Sequence, residues 1–182
     1  MAYSTDSFNY VLRPAKPADL KKLLKLIQES MLSYSHDSFI DPSILDSMHE
    51  SESDLRKRLK THLMLCCFDE ADNPVGTITL KIRDNLDSLK FSDKSSSYLE
   101  GVDKVLYVSR FAVLDTLRGS GIGVRLLEEA FVFALFNEVK TVVLHTAIKN
   151  TGRVEFYKNR GFELVDSESG RGYERGLFAK KL

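Results

Sequence analysis

Three glycines at alternating positions are the most distinctive chemical feature of this sequence. They stand in the segment Arg118-Gly119-Ser120-Gly121-Ile122-Gly123. Glycine accepts positive φ and has no Cβ to keep a ligand away from the backbone. An apolar run precedes the segment and an amphipathic pattern follows it, so it joins a predicted strand to a predicted helix. Because the first turn of a helix has unpaired amide donors and a partial positive charge, the segment is typical of an anion-binding loop.

Two familiar nucleotide motifs do not explain the glycines. The segment lacks the Gly-Lys-Ser/Thr ending of a Walker loop, and its glycine spacing differs from that of the dinucleotide fingerprint. Arg118 adds a mobile cation at the rim of the predicted loop. A sharp turn from strand to helix also selects glycine, so a purely structural role stays open from this pattern alone.

The elements that must position this loop follow from hydrophobic periodicity. A near-continuous apolar strand is predicted over 104–114, immediately before it, and an amphipathic helix immediately after it. The other predictions are strands over 8–13, 63–68, 75–82, 141–146, 162–166 and 173–180, and helices from Leu20 to Met31, over 52–60 and over 151–159. This order indicates an α/β domain with a mixed sheet.

Two segments carry no readable pattern. Residues 33–61 are irregular, apart from the charged helix, and residues 84–103 form a long Ser-rich polar stretch. Long loops in compact domains are either functional lids or disordered segments, and composition does not choose between them.

Length and charge narrow the classes of protein. With 182 residues, 43% of them hydrophobic, the chain is expected to form a single domain over 1–182. Basic and acidic residues number 26 each, so the excess of positive charge that drives binding to nucleic acid or anionic membranes is missing. We therefore expect neither partner. No leader-like or membrane-spanning apolar stretch is visible in the sequence, so a cytoplasmic location is expected.

The two cysteines are predicted to be structural. Cys66 and Cys67 are neighbours in an apolar run, and adjacent side chains of a strand point to opposite faces. They suit neither a disulfide framework nor a metal site, and no metal is expected elsewhere.

Two motifs in sequence resemble the GNAT superfamily of acyl-CoA N-acyltransferases. The first signature of that family is Arg/Gln-x-x-Gly-x-Gly/Ala after a buried strand, and residues 111–123 match it. The second is an Asn, a helix containing Tyr, and a Gly-Phe pair that opens the next strand, which residues 150–162 match. The segment 12–15 with Asp19 is similar to the family's first strand and helix.

The resemblance implies a fold and a co-substrate. The expected fold is a mixed, mostly antiparallel sheet of about seven strands, with a splay between its two central parallel strands and about four flanking helices. The expected donor is acetyl-CoA, with its pyrophosphate on residues 118–123 and its pantetheine arm along Phe111, Ala112 and Val113. By the same likeness, Asn150 contacts the pantetheine or caps the following helix.

The implied reaction is direct attack of a primary amine on the acetyl carbonyl, which needs a base and an acid. Tyr157 matches the family's acid, and its alternative role is that of a core aromatic. His145 is the candidate base, with packing under a helix as its alternative. Many family members carry a Glu base where this chain has Tyr107, so Tyr107 and Ser109 could instead line a water path.

Arg110 lies inside a predicted buried strand and must find an anionic or carbonyl partner there. The string Ser109-Arg110-Phe111 resembles acyl-homoserine-lactone synthases, in which case Arg110 would hold a substrate carboxylate. A structural ion pair is the other interpretation.

Three functions remain open from the sequence. The first is N-acetyltransfer to a small-molecule or peptide amine, which segments 33–61 and 84–103 would select. The second is a coenzyme-binding sensor without catalysis, suggested by the missing Glu. The third is transfer of longer acyl chains, against which the bulky Phe111 and Phe156 argue. The oligomeric state is open, with a homodimer as one alternative.

Overall fold

The computed structural model describes the backbone of residues 2–5 and 8–182 and the side chains from residue 9 onward. The strands are β1 Ala2–Thr5, β2 Phe8–Pro14, β3 Leu63–Phe68, β4 Pro74–Arg83, β5 Val105–Val113, β6 Thr141–Ala147, β7 Glu163–Glu168 and β8 Arg175–Lys181. The α-helices are α1 Leu20–Ser38, α2 Glu52–Leu59, α3 Asp93–Tyr98, α4 Ile122–Phe136 and α5 Thr151–Lys158. Short 3₁₀ turns precede α1 and lie in the connections around α2, α3 and α4.

All these strands form one mixed sheet in the order β1-β2-β3-β4-β5-β6-β8-β7. Only β5 and β6 pair in parallel, and every other neighbouring pair is antiparallel. The predicted GNAT-like mixed sheet is therefore confirmed. It has eight strands in the described part of the chain because β1, which the sequence pattern did not reveal, pairs with β2.

The two central parallel strands separate along their length. Residues 106–108 of β5 pair with residues 142–144 of β6, and no pairing follows although β5 continues to Val113 and β6 to Ala147. On its other side β5 carries a bulge, since Thr77 opposes Ala112 whereas Thr79 opposes Ser109. Within this bulge Arg110 has a φ of 47°. A bulge bends its strand, so the register produces the predicted splay.

Helices cover both faces of the sheet. On one face, α1 and α2 bury Leu20, Leu23 and Leu55 against Met64 and Cys66. On the other, α4 buries its apolar side in a core that includes Cys67. Burial raises the pKa of both free thiols to about 12. Both are thus neutral core residues, as predicted.

Helix α1 is longer than its sequence pattern indicated. It begins after a 3₁₀ turn containing Pro17, where the Asp19 carboxylate accepts a hydrogen bond from the Lys16 amide (2.7 Å). It ends at Phe39, which has a left-handed φ of 56°. The last two turns bury Tyr34 and Ser38. Their hydroxyls accept hydrogen bonds from the end of β6 and from Asn150, next to the splay.

Residues 84–103 fold onto the sheet, so the alternative of a disordered segment is wrong. A 3₁₀ turn and α3 bury Leu86, Leu89 and Leu99 in a cluster with β5, β6 and β8. The Asp166 carboxylate of β7 accepts hydrogen bonds from the Ser92 hydroxyl and the Ser95 amide, which ties α3 to the sheet edge.

Candidate active site

The glycine loop leads from the end of β5 into the first turn of α4. Gly119 and Gly121 have φ values of 83° and 86°, a conformation that L side chains rarely adopt. A Cβ placed on Gly119 would meet nothing within 4 Å, so conformation and not crowding requires glycine there. Gly123 sits closer to its neighbours, with Phe111 and Phe156 each 3.7 Å from a Cβ placed on it.

This loop presents unused donors. Ser120 N donates to Leu117 O (3.2 Å) and Arg125 N to Gly121 O (2.9 Å), but the amides of residues 121–124 have no backbone acceptor within the described ranges. The Ser120 hydroxyl is buried without a hydrogen-bond partner in the same ranges. Unpaired amides at a helix N-terminus beside an unsatisfied hydroxyl fit a phosphate group. At the rim, Arg118 forms ion pairs with Asp115 (2.8 Å) and Asp37 (3.3 Å).

A cavity of about 460 Å³ runs from this loop to the splay; we call it the loop cavity. Its walls include nine of the predicted site residues: Phe111, Ala112, Val113, Arg118, Gly119, Gly121, Gly123, Asn150 and Tyr157. The side chain of Ile122 instead lies in the core, so only its amide can serve the loop. The Phe111 and Phe156 rings meet edge to face with centroids 5.8 Å apart, which narrows the cavity near the splay.

Asn150 caps α5. Its Oδ1 accepts from the Arg153 amide (3.1 Å), while its Nδ2 donates to the Ser38 hydroxyl (2.9 Å). The side chain is buried and borders the loop cavity. Of its two predicted roles, helix capping is the one that these contacts describe.

Tyr157 lies where the two separated strands open. Its ring packs against Phe111, Phe162 and Phe178 at centroid distances of 5.7 to 6.4 Å. Burial raises its pKa to about 12, and the nearby Arg153 opposes that rise. The side chain is therefore a neutral core phenol, yet it also borders cavities on both faces of the sheet.

A second cavity, of about 530 Å³, opens on the face covered by α1, α2 and α3. It shares Phe111, Arg153 and Tyr157 with the loop cavity, so the two cavities meet at the splay. Two ligands entering from opposite faces can therefore bring their ends together at Tyr157.

His145 lies on β6, one residue beyond the last paired position, and lines this second cavity. Its Nδ1 is 3.0 Å from the Tyr107 hydroxyl, and its buried Nε2 has no partner among the described residues. Burial, followed by Arg175, Arg171 and Arg83, lowers the pKa of His145 to about 3. The imidazole is therefore neutral at physiological pH. In the tautomer that donates from Nδ1 to Tyr107, Nε2 can accept a hydrogen bond.

Arg110 is held by Glu50, which precedes α2. Its Nε and Nη2 donate to the Glu50 carboxylate at 2.8 and 3.2 Å, and Arg58 Nε donates to the same carboxylate at 2.6 Å. The Glu50 side chain is only 3% exposed. The structural ion pair is thus what the fold contains, and the hypothesis that Arg110 binds a substrate carboxylate is wrong for this arrangement.

Two residues at the splay were missed by sequence reasoning. Arg153 donates from Nη1 to Phe111 O (3.1 Å), and its guanidinium carbon lies 4.9 Å from the centre of the Tyr34 ring. The Tyr34 hydroxyl accepts from the Ala147 amide (2.6 Å). Both had a signal, since Arg153 precedes Tyr157 by one helical turn and Tyr34 follows Ile27 by two on the apolar side of α1.

Other kinds of site find no support in the described residues. No group of three or more His, Cys, Asp or Glu side chains in this part of the chain is arranged to hold a metal ion. No helix there is long and apolar enough to cross a membrane.

Known proteins resemble this chain in sequence and in structure. The Drosophila melanogaster protein "Probable N-acetyltransferase san" is 38% identical over 64 residues, which span 35% of each chain. The PaiA N-acetyltransferase of Thermoplasma acidophilum, solved with coenzyme A, has a TM-score of 0.75 and 20% identity, over 95% of this chain and 99% of that one. The NatC complex bound to Gag peptide and CoA contains a chain with a TM-score of 0.64 and 16% identity, over 95% and 98% of the two chains.

At these identities the structural likenesses establish the fold. The family is established by sequence, because a model of the Acetyltransferase (GNAT) family matches residues 23–162, well over half of the chain. The match includes the glycine loop, Asn150 and Tyr157. The chain belongs to the GNAT family of acetyltransferases.

Proposed function

We propose that the chain transfers the acetyl group of acetyl-CoA to a primary amine by direct attack of the amine on the thioester. The observation that carries this proposal is the meeting of the loop cavity and the second cavity at the splay, beside Tyr157. The loop cavity ends at unpaired backbone amides that can donate to a phosphate. The second cavity has the neutral imidazole of His145 on its wall.

The loop cavity is the proposed coenzyme site. The amides of residues 121–124 and the Ser120 hydroxyl would hold the pyrophosphate, with Arg118 at the rim. The unpaired part of β5 would lie along the pantetheine arm, which leads to the splay. Acetyl-CoA would supply an activated acyl group there, and the solved relative from Thermoplasma acidophilum contains coenzyme A.

The second cavity is the proposed acceptor site. A neutral amine must attack, and the free Nε2 of His145 could accept its hydrogen bond directly or through a water molecule. Tyr107 fixes the ring from Nδ1, as a residue that orients a base does. The acceptor itself is a proposed small-molecule or peptide amine; among the structural neighbours, the NatC complex was solved with a peptide.

Tyr157 is proposed to stabilise the leaving thiolate. Its pKa of about 12 lies well above the roughly 8.5 of a free thiol, so the phenol keeps its proton and donates a hydrogen bond to the sulfur. In a buried site such a donor counts for more than it would in water.

Thiol release from acetyl-CoA, followed across a panel of amines, tests this function. We expect turnover with at least one class of amine, and tight binding of acetyl-CoA by calorimetry. Binding without turnover on a broad panel would favour the coenzyme-sensing alternative. Faster turnover with octanoyl-CoA than with acetyl-CoA would favour the longer-chain alternative, against which the Phe111 and Phe156 contact argues.

A further inference from the structure

The walls of the second cavity are strongly cationic. Seven Lys and Arg side chains line it, against a single lining carboxylate, that of Asp46. The chain as a whole has equal numbers of basic and acidic residues. The excess is therefore local to this cavity.

Carboxylates neutralise only part of this charge. Glu50 serves both Arg58 and Arg110, so one negative charge faces two positive ones. Asp46 pairs with Arg171 at 2.6 Å at an exposed edge, and Glu168 pairs with Arg175. These three carboxylates account for four of the seven cations and leave one charge of the four uncompensated.

The other three cations have no carboxylate within the described ranges. Arg83 lies over the Tyr107 ring with its guanidinium carbon 4.9 Å from the centroid. Arg153 is held by the Phe111 carbonyl, and Lys81 stands on the exposed part of β4. With the uncompensated charge at Glu50, four positive charges remain around a partly enclosed space.

Two histidines that line the cavity have pKa values lowered by burial and by this excess. Burial is the main cause of the low pKa of His145, and Arg175, Arg171 and Arg83 lower it further. Burial also lowers the pKa of His62, and there Lys81 and Arg58 add to the effect. Cations from β4, β8, α2 and the 169–174 turn thus act on the same space.

We infer that the acceptor is a small amine that also carries an anionic group, a carboxylate or a phosphate, bound in the second cavity beside Arg83. This rests on the proposed function, which assigns the second cavity to the acceptor. Arg83 stacks on Tyr107, whose hydroxyl contacts His145, so an anion at Arg83 lies about one aromatic ring away from the proposed base. A polyamine would bring like charges into this space, at a cost in affinity.

Matched amines test the inference. With acetyl-CoA fixed, kcat/KM is measured for β-alanine against β-alaninamide, O-phosphoethanolamine against ethanolamine, and spermidine. We expect an anionic member to exceed its neutral partner by at least about tenfold. The β-alanine and O-phosphoethanolamine arms separate carboxylate from phosphate, because each amine carries only one kind of anionic group. Preference for spermidine, or equal rates within both pairs, would overturn the inference.

Replacement of Arg83 locates the anion. Arg83→Gln should raise KM for the preferred anionic amine at least about fivefold more than KM for its neutral partner. Arg56→Gln is the control, because Arg56 pairs with Glu52 on exposed α2 and lies outside the cavity. An equal loss for both amines, or the same change in both variants, would contradict a role in anion binding.

Calorimetry separates this inference from the proposed function. β-Alanine, O-phosphoethanolamine and spermidine are titrated into the protein loaded with coenzyme A. Binding of an anionic amine without any turnover would keep the anion site and overturn the acetyltransferase proposal. Turnover confined to cationic or neutral amines would keep the acetyltransferase proposal and overturn the anion site. Failure of both anionic amines to bind would also overturn the anion site.

Discussion

At the splay, the protonation of single side chains decides what chemistry is available. Tyr157 and His145 are both neutral near pH 7, because burial raises the pKa of the phenol to about 12 and lowers that of the imidazole to about 3. The phenol keeps the proton that it would donate to sulfur. The imidazole can accept from the amine at Nε2 when its own proton is on Nδ1 and is donated to the Tyr107 hydroxyl. Each side chain can therefore take the hydrogen-bonding role that the proposed reaction assigns to it.

Tyr157→Phe removes the proposed donor to the leaving sulfur. Because the ring and its packing remain, coenzyme affinity should be unchanged while kcat falls about 10- to 100-fold. Stopped-flow thiol release and calorimetry measure the two quantities. Tyr98→Phe is the control, since Tyr98 packs against the cluster of Leu86, Leu89 and Leu99 and borders neither cavity. Full activity in Tyr157→Phe would remove this hydroxyl from the mechanism.

The depressed pKa of His145 predicts a pH effect on stability. An unfolded histidine has a pKa near 6.5. Between pH 6.5 and pH 3, the unfolded chain therefore binds a proton at this histidine whereas the folded chain does not. The stability that neutral His145 contributes is present above pH 6.5 and is lost below it. Between pH 7 and pH 5, wild type should lose about 2 kcal/mol more than His145→Gln in free energy of unfolding.

Urea unfolding at the two pH values measures that difference. His36→Gln is the control, because the His36 side chain is 90% exposed. Identical pH dependence in wild type and His145→Gln would mean that the folded imidazole titrates normally. The pH profile of kcat/KM gives a second reading, since an acid limb at pH 6.5 would contradict a lowered pKa in the free protein.

Gly121→Glu tests the glycine loop at the residue that immediately precedes α4. A carboxylate would stand beside the proposed pyrophosphate site, and we expect coenzyme affinity to fall by more than about 100-fold. Any side chain at the Gly121 φ of 86° also strains the backbone. Gly101→Glu matches that strain, because Gly101 has a φ of 72° and open space around it, away from both cavities. Unchanged affinity in Gly121→Glu alone would remove the loop from the coenzyme site.

At the scale of elements, one carboxylate connects the start of α2 to the bulge of β5. Glu50 satisfies Arg110 in the bulge and Arg58 on α2. Glu50→Gln would leave two guanidinium groups without a counter-charge, and partly buried cations of this kind destabilise strongly. We expect a loss of about 2–4 kcal/mol in free energy of unfolding.

Urea denaturation compares that loss with Glu52→Gln, two residues away. Glu52 forms an exposed pair with Arg56 one turn along α2, so its replacement should cost less than about 1 kcal/mol. Equal effects of the two substitutions would mean that the buried network around Arg110 contributes no more than a surface pair.

The sequence predicted the regular elements better than their connections. Strand β3 was predicted with its observed bounds, and α2 and α5 each to within one residue, because apolar period and capping residues are local signals. Segment 84–103 could not be predicted, since Leu86, Leu89 and Leu99 are scattered among polar residues and are buried only by β5, β6 and β8. Tertiary packing organises that segment.

The candidate site was predicted unevenly for the same reason. The glycine loop, Asn150 and Tyr157 lie within compact motifs, and the fold places them around one cavity. The partner of Arg110 stands 60 residues away, in a region without periodicity, so Glu50 had no local signal. The cationic wall of the second cavity is assembled from five separate stretches of the chain, so no single stretch of sequence reveals it.

For the whole molecule, the splay makes the centre of the sheet its least connected part. Strands β5 and β6 pair over three residues, and beyond that point Tyr34 and Arg153 bridge the two sides through one hydrogen bond each. The loop cavity spans this gap, with β5 and the glycine loop on one wall and α5 on the other. A ligand in that cavity contacts both halves, so coenzyme binding should stabilise the fold as a unit.

Coenzyme A at about 100 times its Kd should therefore stabilise the folded chain by about 2.7 kcal/mol. For a chain of this size, that corresponds to a rise in Tm of about 5–11 °C. Scanning calorimetry against coenzyme concentration measures it, and Gly101→Glu should show the same rise whereas Gly121→Glu shows none. A single sharpened transition is expected, because both halves gain the ligand's contacts at once. Two resolved transitions, of which only the one containing α4 shifts, would mean that the coenzyme does not reach across the splay.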